Sequence, residues 1–247
     1  MENLWQILYY SAIAGLATTL GALLILLLGQ PEEKLLASLL AGACGVMTAV
    51  VAADLLPAAW ESGSVWQMTA GMLSGLLFMY LANQRLQLYQ PPVSLSCNRR
   101  QQFKRMGLLV AAGIALHDFP EGMAIAIGQE SRAELGSIIT LAISLHNLPE
   151  GMVIAAPLLM ANIRRWKIVV LTLGLAVFTP LGALSGLGAL RLVHSSLAFF
   201  LALAAGAMSY LVYAELWPLS RRLQPRYALL SGFIGFALFA AMSLFLA

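Results

Sequence analysis

The feature that most constrains this chain is the recurrence, along its whole length, of apolar runs of about 20 residues, the length a helix needs to cross a bilayer core. Charged or Pro-containing breaks divide these runs into eight spans: Leu4 to Leu28, Leu36 to Trp60, Trp66 to Leu86, Met106 to Gly128, Leu135 to Met160, Val169 to Leu190, Leu197 to Leu216 and Tyr227 to Ala247. The runs are uniformly apolar rather than alternating, which excludes a β-barrel and leaves an all-α integral membrane protein. With 60% hydrophobic residues, 10% charged residues and a mean hydropathy of +0.84, the 247 residues leave room only for spans and short connectors. A single transmembrane domain covering 1–247 is expected, with a cytoplasmic linker at about 87–105 and no separate soluble catalytic module.

The first run lacks the basic start and cleavage site of a secretory signal and reads as a retained membrane helix. Orientation follows from Lys and Arg. Lys34 lies in the first connector; Arg85, Arg99, Arg100, Lys104 and Arg105 in or beside the third; Arg164, Arg165 and Lys167 in the fifth; Arg221, Arg222 and Arg226 in the seventh. Only Arg132 and Arg191 fall on the other side. The odd-numbered connectors are therefore expected in the cytoplasm and both termini outside. The net charge of +3 is accounted for by these topological markers, so a nucleic-acid partner is not expected. Cys44, in a span, and Cys97, in a loop with Pro91 and Pro92, have no spacing suited to a disulfide or thiolate site.

Against this background two copies of one phrase stand out: His117-Asp118-Phe119-Pro120-Glu121-Gly122-Met123 and His146-Asn147-Leu148-Pro149-Glu150-Gly151-Met152. Ionisable groups inside apolar spans are costly and are by default functional. In each copy His and Glu are four apart, so a helix places both on one face. Each His is about eleven residues into its span, near half of a ~30 Å core at 1.5 Å per residue. The two helices are antiparallel and joined by a short outer loop, so the pairs can face each other. Each proline withholds an N–H from the carbonyl one turn back, Leu116 or Leu145, and a bend is expected there.

Imidazole nitrogen with carboxylate oxygen suits borderline divalent metals such as Zn²⁺, Fe²⁺ or Mn²⁺, and no thiolate favours Cu(I). Two negative charges from Glu121 and Glu150 would be neutralised by one such ion. When the ion leaves, at least one proton is expected to take its place.

A second echo links the second and seventh spans. Gly45-Val46-Met47 precedes Asp54-Leu55-Leu56-Pro57, and Gly206-Ala207-Met208 precedes Glu215-Leu216-Trp217-Pro218, nine residues from glycine to carboxylate in both. The two spans run in opposite directions, so the echo is an inverted repeat. Asp54 is expected near the outer mouth and Glu215 near the inner one, as cation-attracting pathway or gate residues.

The doublet resembles the signature of the fourth and fifth transmembrane helices of the ZIP family of metal-ion transporters, in its bacterial branch. The resemblance implies a bundle of eight transmembrane helices in a multi-pass protein of the bacterial inner membrane. It implies a transporter, not an enzyme, that moves a divalent metal into the cytoplasm by alternating access, with zinc foremost and iron, manganese, cobalt or cadmium as alternatives. The metal is then cargo rather than a catalytic cofactor, and a homodimer is a reasonable expectation. Candidate metal residues are His117, Asp118, Glu121, His146, Asn147 and Glu150. A second metal bridged by the two glutamates is conceivable, but Thr179 stands where two-metal relatives often carry a sixth-helix glutamate, and Asp118, where asparagine is frequent, compensates in part. The third loop lacks the histidines that many relatives carry there.

Two other readings compete. An intramembrane metalloenzyme would be revealed by hydrolysis of lipid or peptide, yet no H-E-x-x-H occurs and both glutamates are claimed as ligands. A proton-linked carrier of an organic solute would show metal-independent uptake, and the spans offer few polar groups to recognise such a ligand. Thr179, Ser144, Ser185 and Ser209 are expected to bond carbonyls of their own helices, and Trp5, Trp60, Trp66, Trp166 and Trp217 to sit near interfaces. His194 falls in an outer connector.

Overall fold

The computed structural model describes residues 2–88, 99–192 and 197–246; Pro91, Pro92, Cys97 and His194 lie outside them. The described residues form helices joined by short connectors, with no strand among them. Eight helices are long and apolar enough to cross a membrane: α1 (Leu4–Leu28), α2 (Glu33–Ser62), α3 (Val65–Arg85), α4 (Arg99–Ser131), α5 (Ala133–Met160), α6 (Arg165–Gly188), α7 (Leu197–Leu223) and α8 (Pro225–Ser243). The chain is a multi-pass membrane protein. Trp5, Trp60, Trp66 and Trp166 are exposed, whereas Trp217 packs over Gly232.

The helices overrun the apolar runs for identifiable reasons. Residues 99–105, expected in the linker, form the first turns of α4, because Arg, Gln and Lys are good helix formers whose charges need only to stay clear of hydrocarbon. In α2 and α7 the helix continues past Pro57 and Pro218 through six-residue π segments, Val50–Leu55 and Leu211–Leu216. Leu56 N–H reaches back to Val51 O, and Trp217 N–H to Val212 O, five residues rather than four. The widened turn lets each proline sit at the start of the next α-helical segment, where a missing N–H does no harm.

The inverted repeat runs much further than the second and seventh spans. A constant step of 161 positions relates Thr18 to Thr179, Gly21 to Gly182, Gly45 to Gly206, Asp54 to Glu215 and Pro57 to Pro218. Packing repeats with it: α1 lies on α5 as α6 lies on α4, and α2 lies on α8 as α7 lies on α3. The eight helices thus sort into one bundle of α1, α4, α5 and α6 and another of α2, α3, α7 and α8, meeting along α4 with α7 and α5 with α2.

Close approach within the first bundle depends on glycine. A Cβ placed on Gly151 would lie 1.8 Å from Thr18 O, and one on Gly122 would lie 1.9 Å from Thr179 O. Without side chains there, the helix backbones touch and dispersion contact is gained along the crossing. Helix α6 is interrupted: its first segment ends at Leu175, residues 176 and 177 form a turn, and helix resumes at Phe178. Pro180, which cannot donate to Ala176 O, removes the bond that would have carried the helix across.

Candidate metal centre

Helices α4 and α5 run unbroken through Pro120 and Pro149 and bring both copies of the motif to the centre of the first bundle. His117, Glu121, His146 and Glu150 each offer one ligand atom, and the four atoms lie within 4.8 Å of one another. All four side chains are buried, none more than 1% exposed.

The closest contacts are crossed. His117 Nε2 is 3.0 Å from Glu150 Oε1, and His146 Nε2 is 3.0 Å from Glu121 Oε1. Within each helix the same atoms are further apart, 3.4 Å for His117 and Glu121 and 4.0 Å for His146 and Glu150. The four atoms form a compact cluster whose His–Glu separations run from 3.0 to 4.0 Å. A tetrahedral zinc ion with N and O ligands at about 2.0–2.1 Å has neighbouring ligand atoms about 3.3 Å apart, which falls inside this range.

Electrostatics argue the same way. Glu121, Glu150 and Asp118 are acceptors packed in a region sealed from solvent, and among the described residues no Lys or Arg contacts them. Three carboxyl groups without a fixed cation at this depth need protons or a divalent ion to offset their desolvation.

The remaining sequence candidates are placed differently. Asp118 Oδ1 is 3.8 Å from His117 Nε2, and neither carboxylate oxygen has a hydrogen-bond partner among the described residues. Asn147 turns toward α1, where its Nδ2 donates to Ala14 O at 2.8 Å. Asp54 accepts a hydrogen bond from the Ser243 hydroxyl. It lines a cavity of about 320 Å³ with Glu61, Leu135, Ile139 and Phe239. Glu215 accepts from Asn83 Nδ2 at 2.5 Å, and Asn83 also donates to Tyr210 OH at 3.0 Å. Asp54 and Glu215 thus each lie within a π segment and are held by the neighbouring helix of their own bundle, α8 for Asp54 and α3 for Glu215.

Ser144 and Ser185 bond the carbonyls of Thr140 and Leu181, as hydroxyls in helices do. Thr179 does not: its hydroxyl is buried and has no partner among the described residues, because the interruption of α6 lies between it and the carbonyl four residues back. Thr18, Asn83 and Ser243 are residues of these sites that motif reading did not pick out. The step of 161 that joins Asp54 to Glu215 also joins Thr18 to Thr179, so a signal for Thr18 was present.

Known proteins resemble this chain over most or all of its length. A family profile described as ZIP Zinc transporter matches residues 89–243. The chain is similar to the Zinc transporter ZupT of Chlorobium limicola, with 34% identity over 266 residues and 100% of both chains covered. That of Chlorobium phaeovibrioides is 34% identical, covering 100% of this chain and 99% of the relative. That of Salmonella heidelberg is 34% identical, covering 88% of each. The chain therefore belongs to the ZIP zinc transporter family, and it is a transporter rather than an enzyme.

Proposed function

We propose that the chain, acting as one transmembrane unit over residues 1–247, carries a divalent transition metal, zinc foremost, across the bacterial inner membrane into the cytoplasm. The observation that carries this reading is the crossed cluster of His117, Glu121, His146 and Glu150, whose spacing suits a tetrahedral ion with nitrogen and oxygen ligands. Iron, manganese, cobalt and cadmium use the same ligand types. The names of the full-length relatives support zinc as cargo, and the distribution of Lys and Arg supports both termini outside. The inward direction is supported by family membership.

Alternating access would use the two bundles. The cargo ligands all belong to the bundle of α1, α4, α5 and α6, so a rigid displacement of that bundle against α2, α3, α7 and α8 carries the site without dismantling it. Asp54 and Glu215, one within each π segment of the other bundle, would draw cations toward the two mouths.

Binding exchanges protons for metal. Each Nε2 now paired with a carboxylate must present a bare lone pair to the ion, and metal binding at such a site releases protons. The experiment is uptake of a panel of metals into vesicles by the wild type, His117→Ala and Glu150→Ala, with inner and outer pH varied. Zinc uptake by the wild type and its loss in both variants is expected. Equal uptake by all three would refute the site.

A further inference from the structure

Many hydroxyl side chains in these helices bond the backbone of their own helix. Thr48, Ser62, Thr69, Thr140, Ser144 and Ser185 each donate to the carbonyl four residues back. Among the described residues, Thr18, Thr19 and Thr179 are buried hydroxyls with no partner. Thr18 and Thr179 are related by the repeat, whereas the position matching Thr19 is Pro180.

Two different devices release this pair. Behind Thr18 the acceptor would be Ala14 O, and that carbonyl accepts the Asn147 amide instead. Behind Thr179 the acceptor would be Leu175 O, and the interruption of α6 between them removes the helical register that would align it. The backbone at Thr18 lies against Gly151, the residue after Glu150; the backbone at Thr179 lies against Gly122, the residue after Glu121. Each glutamate spends Oε1 in a crossed bond, and its Oε2 is buried without a partner among the described residues.

We propose that Thr18 and Thr179 are positioning residues of the cargo site, the Thr18 hydroxyl donating to Glu150 Oε2 and the Thr179 hydroxyl to Glu121 Oε2 once the Oε1 atoms bind metal. A carboxylate that ligates through one oxygen leaves the other a charged, buried acceptor, costly if unmet. A hydroxyl beside each glutamate meets it and fixes the carboxylate plane. Partners of this kind are worth roughly 10–100-fold in metal affinity. The inference rests on the crossed cluster being the cargo site.

The test uses the full chain in detergent for zinc binding and in proteoliposomes for zinc uptake, with Thr18→Val, Thr18→Ser, Thr179→Val, Thr179→Ser and His117→Ala. Valine keeps the shape and removes the hydroxyl, so the Val variants should fold, with KM and Kd for zinc raised on the order of tenfold and turnover changed less. Serine should restore both constants to within about twofold of wild type, since it keeps the donor. Asn147→Leu leaves Ala14 O open to the Thr18 hydroxyl, so Thr18→Val should add little on that background. Wild-type constants for Thr18→Val and Thr179→Val would overturn the proposal, as would Ser variants that behave like Val, which would assign the threonines to packing. Unchanged zinc binding in His117→Ala would overturn the cargo site and the inference with it; loss in His117→Ala beside unaltered Val variants would overturn this inference alone.

Discussion

Replacing Gly151 by alanine tests whether the proposed metal centre depends on backbone contact between α1 and α5. The new Cβ would sit 1.8 Å from Thr18 O, a backbone atom that cannot rotate away. Ordinary contact requires about 3.2–3.4 Å, so the helices must separate locally by about 1.5 Å. The Asn147 bond to Ala14 O is 2.8 Å long and crosses the same interface. Stretched by that amount it exceeds 4 Å and is no longer a hydrogen bond. The combined cost is about 1–3 kcal/mol for overpacking and about 1 kcal/mol for the bond. Because Glu150 adjoins the displaced glycine, zinc affinity should fall at least tenfold, a ligand shift of an ångström being enough for such losses. Gly122→Ala, whose Cβ would meet Thr179 O at 1.9 Å, should behave alike, while Gly174→Ala, with nothing within 4 Å, should not. The assay is zinc titration of purified protein beside thermal unfolding of the same samples. Wild-type affinity in Gly151→Ala and Gly122→Ala would refute the reasoning.

Other perturbations have equally definite outcomes. Under the proposed exchange of metal for protons, Glu121→Gln and Glu150→Gln each remove a carboxylate that takes part, so zinc uptake should fall steeply and what remains should not quicken when the vesicle lumen is acidified, as wild-type uptake should; unaltered uptake would contradict this. Asp54→Asn should raise KM for zinc severalfold at low ionic strength and little at high salt, because a carboxylate at the proposed mouth acts by attraction that salt screens. Arg99 of α4 pairs with Glu33 of α2 across the two bundles; the pair is partly exposed, so Arg99→Glu should change the uptake rate by less than about fivefold and the double exchange with Glu33→Arg should restore it.

How much of this was legible beforehand varies with the physics. The eight helices were plain because twenty apolar residues have one solution in lipid, and the His–Glu doublet was plain because such residues are costly there. The Lys and Arg asymmetry and the echo of Asp54 in Glu215 needed no coordinates. What lay beyond sequence reading was set by contacts between distant segments. Nothing local to His117 says that its nearest carboxylate belongs to Glu150 rather than to Glu121 four residues on. Asn147 carries the same polar promise as Asp118, and only the passage of α1 at Ala14 decides that its amide goes elsewhere. Thr179 was expected to bond its own helix, which would hold had α6 not been interrupted before Pro180. The π segments escaped notice because proline alone marks an irregularity without saying whether the helix stops or widens.

The central claim is that two imidazoles and two carboxylates from α4 and α5 hold one ion between them. X-ray absorption at the zinc edge, on wild type and on the His117→Ala/His146→Ala double variant each offered equal zinc, tests it most directly. The account predicts a wild-type shell of nitrogen and oxygen at about 2.0–2.1 Å with the outer scattering of two imidazoles, and loss of that scattering together with stoichiometric binding in the variant. Imidazole scattering of undiminished strength in the double variant would contradict it.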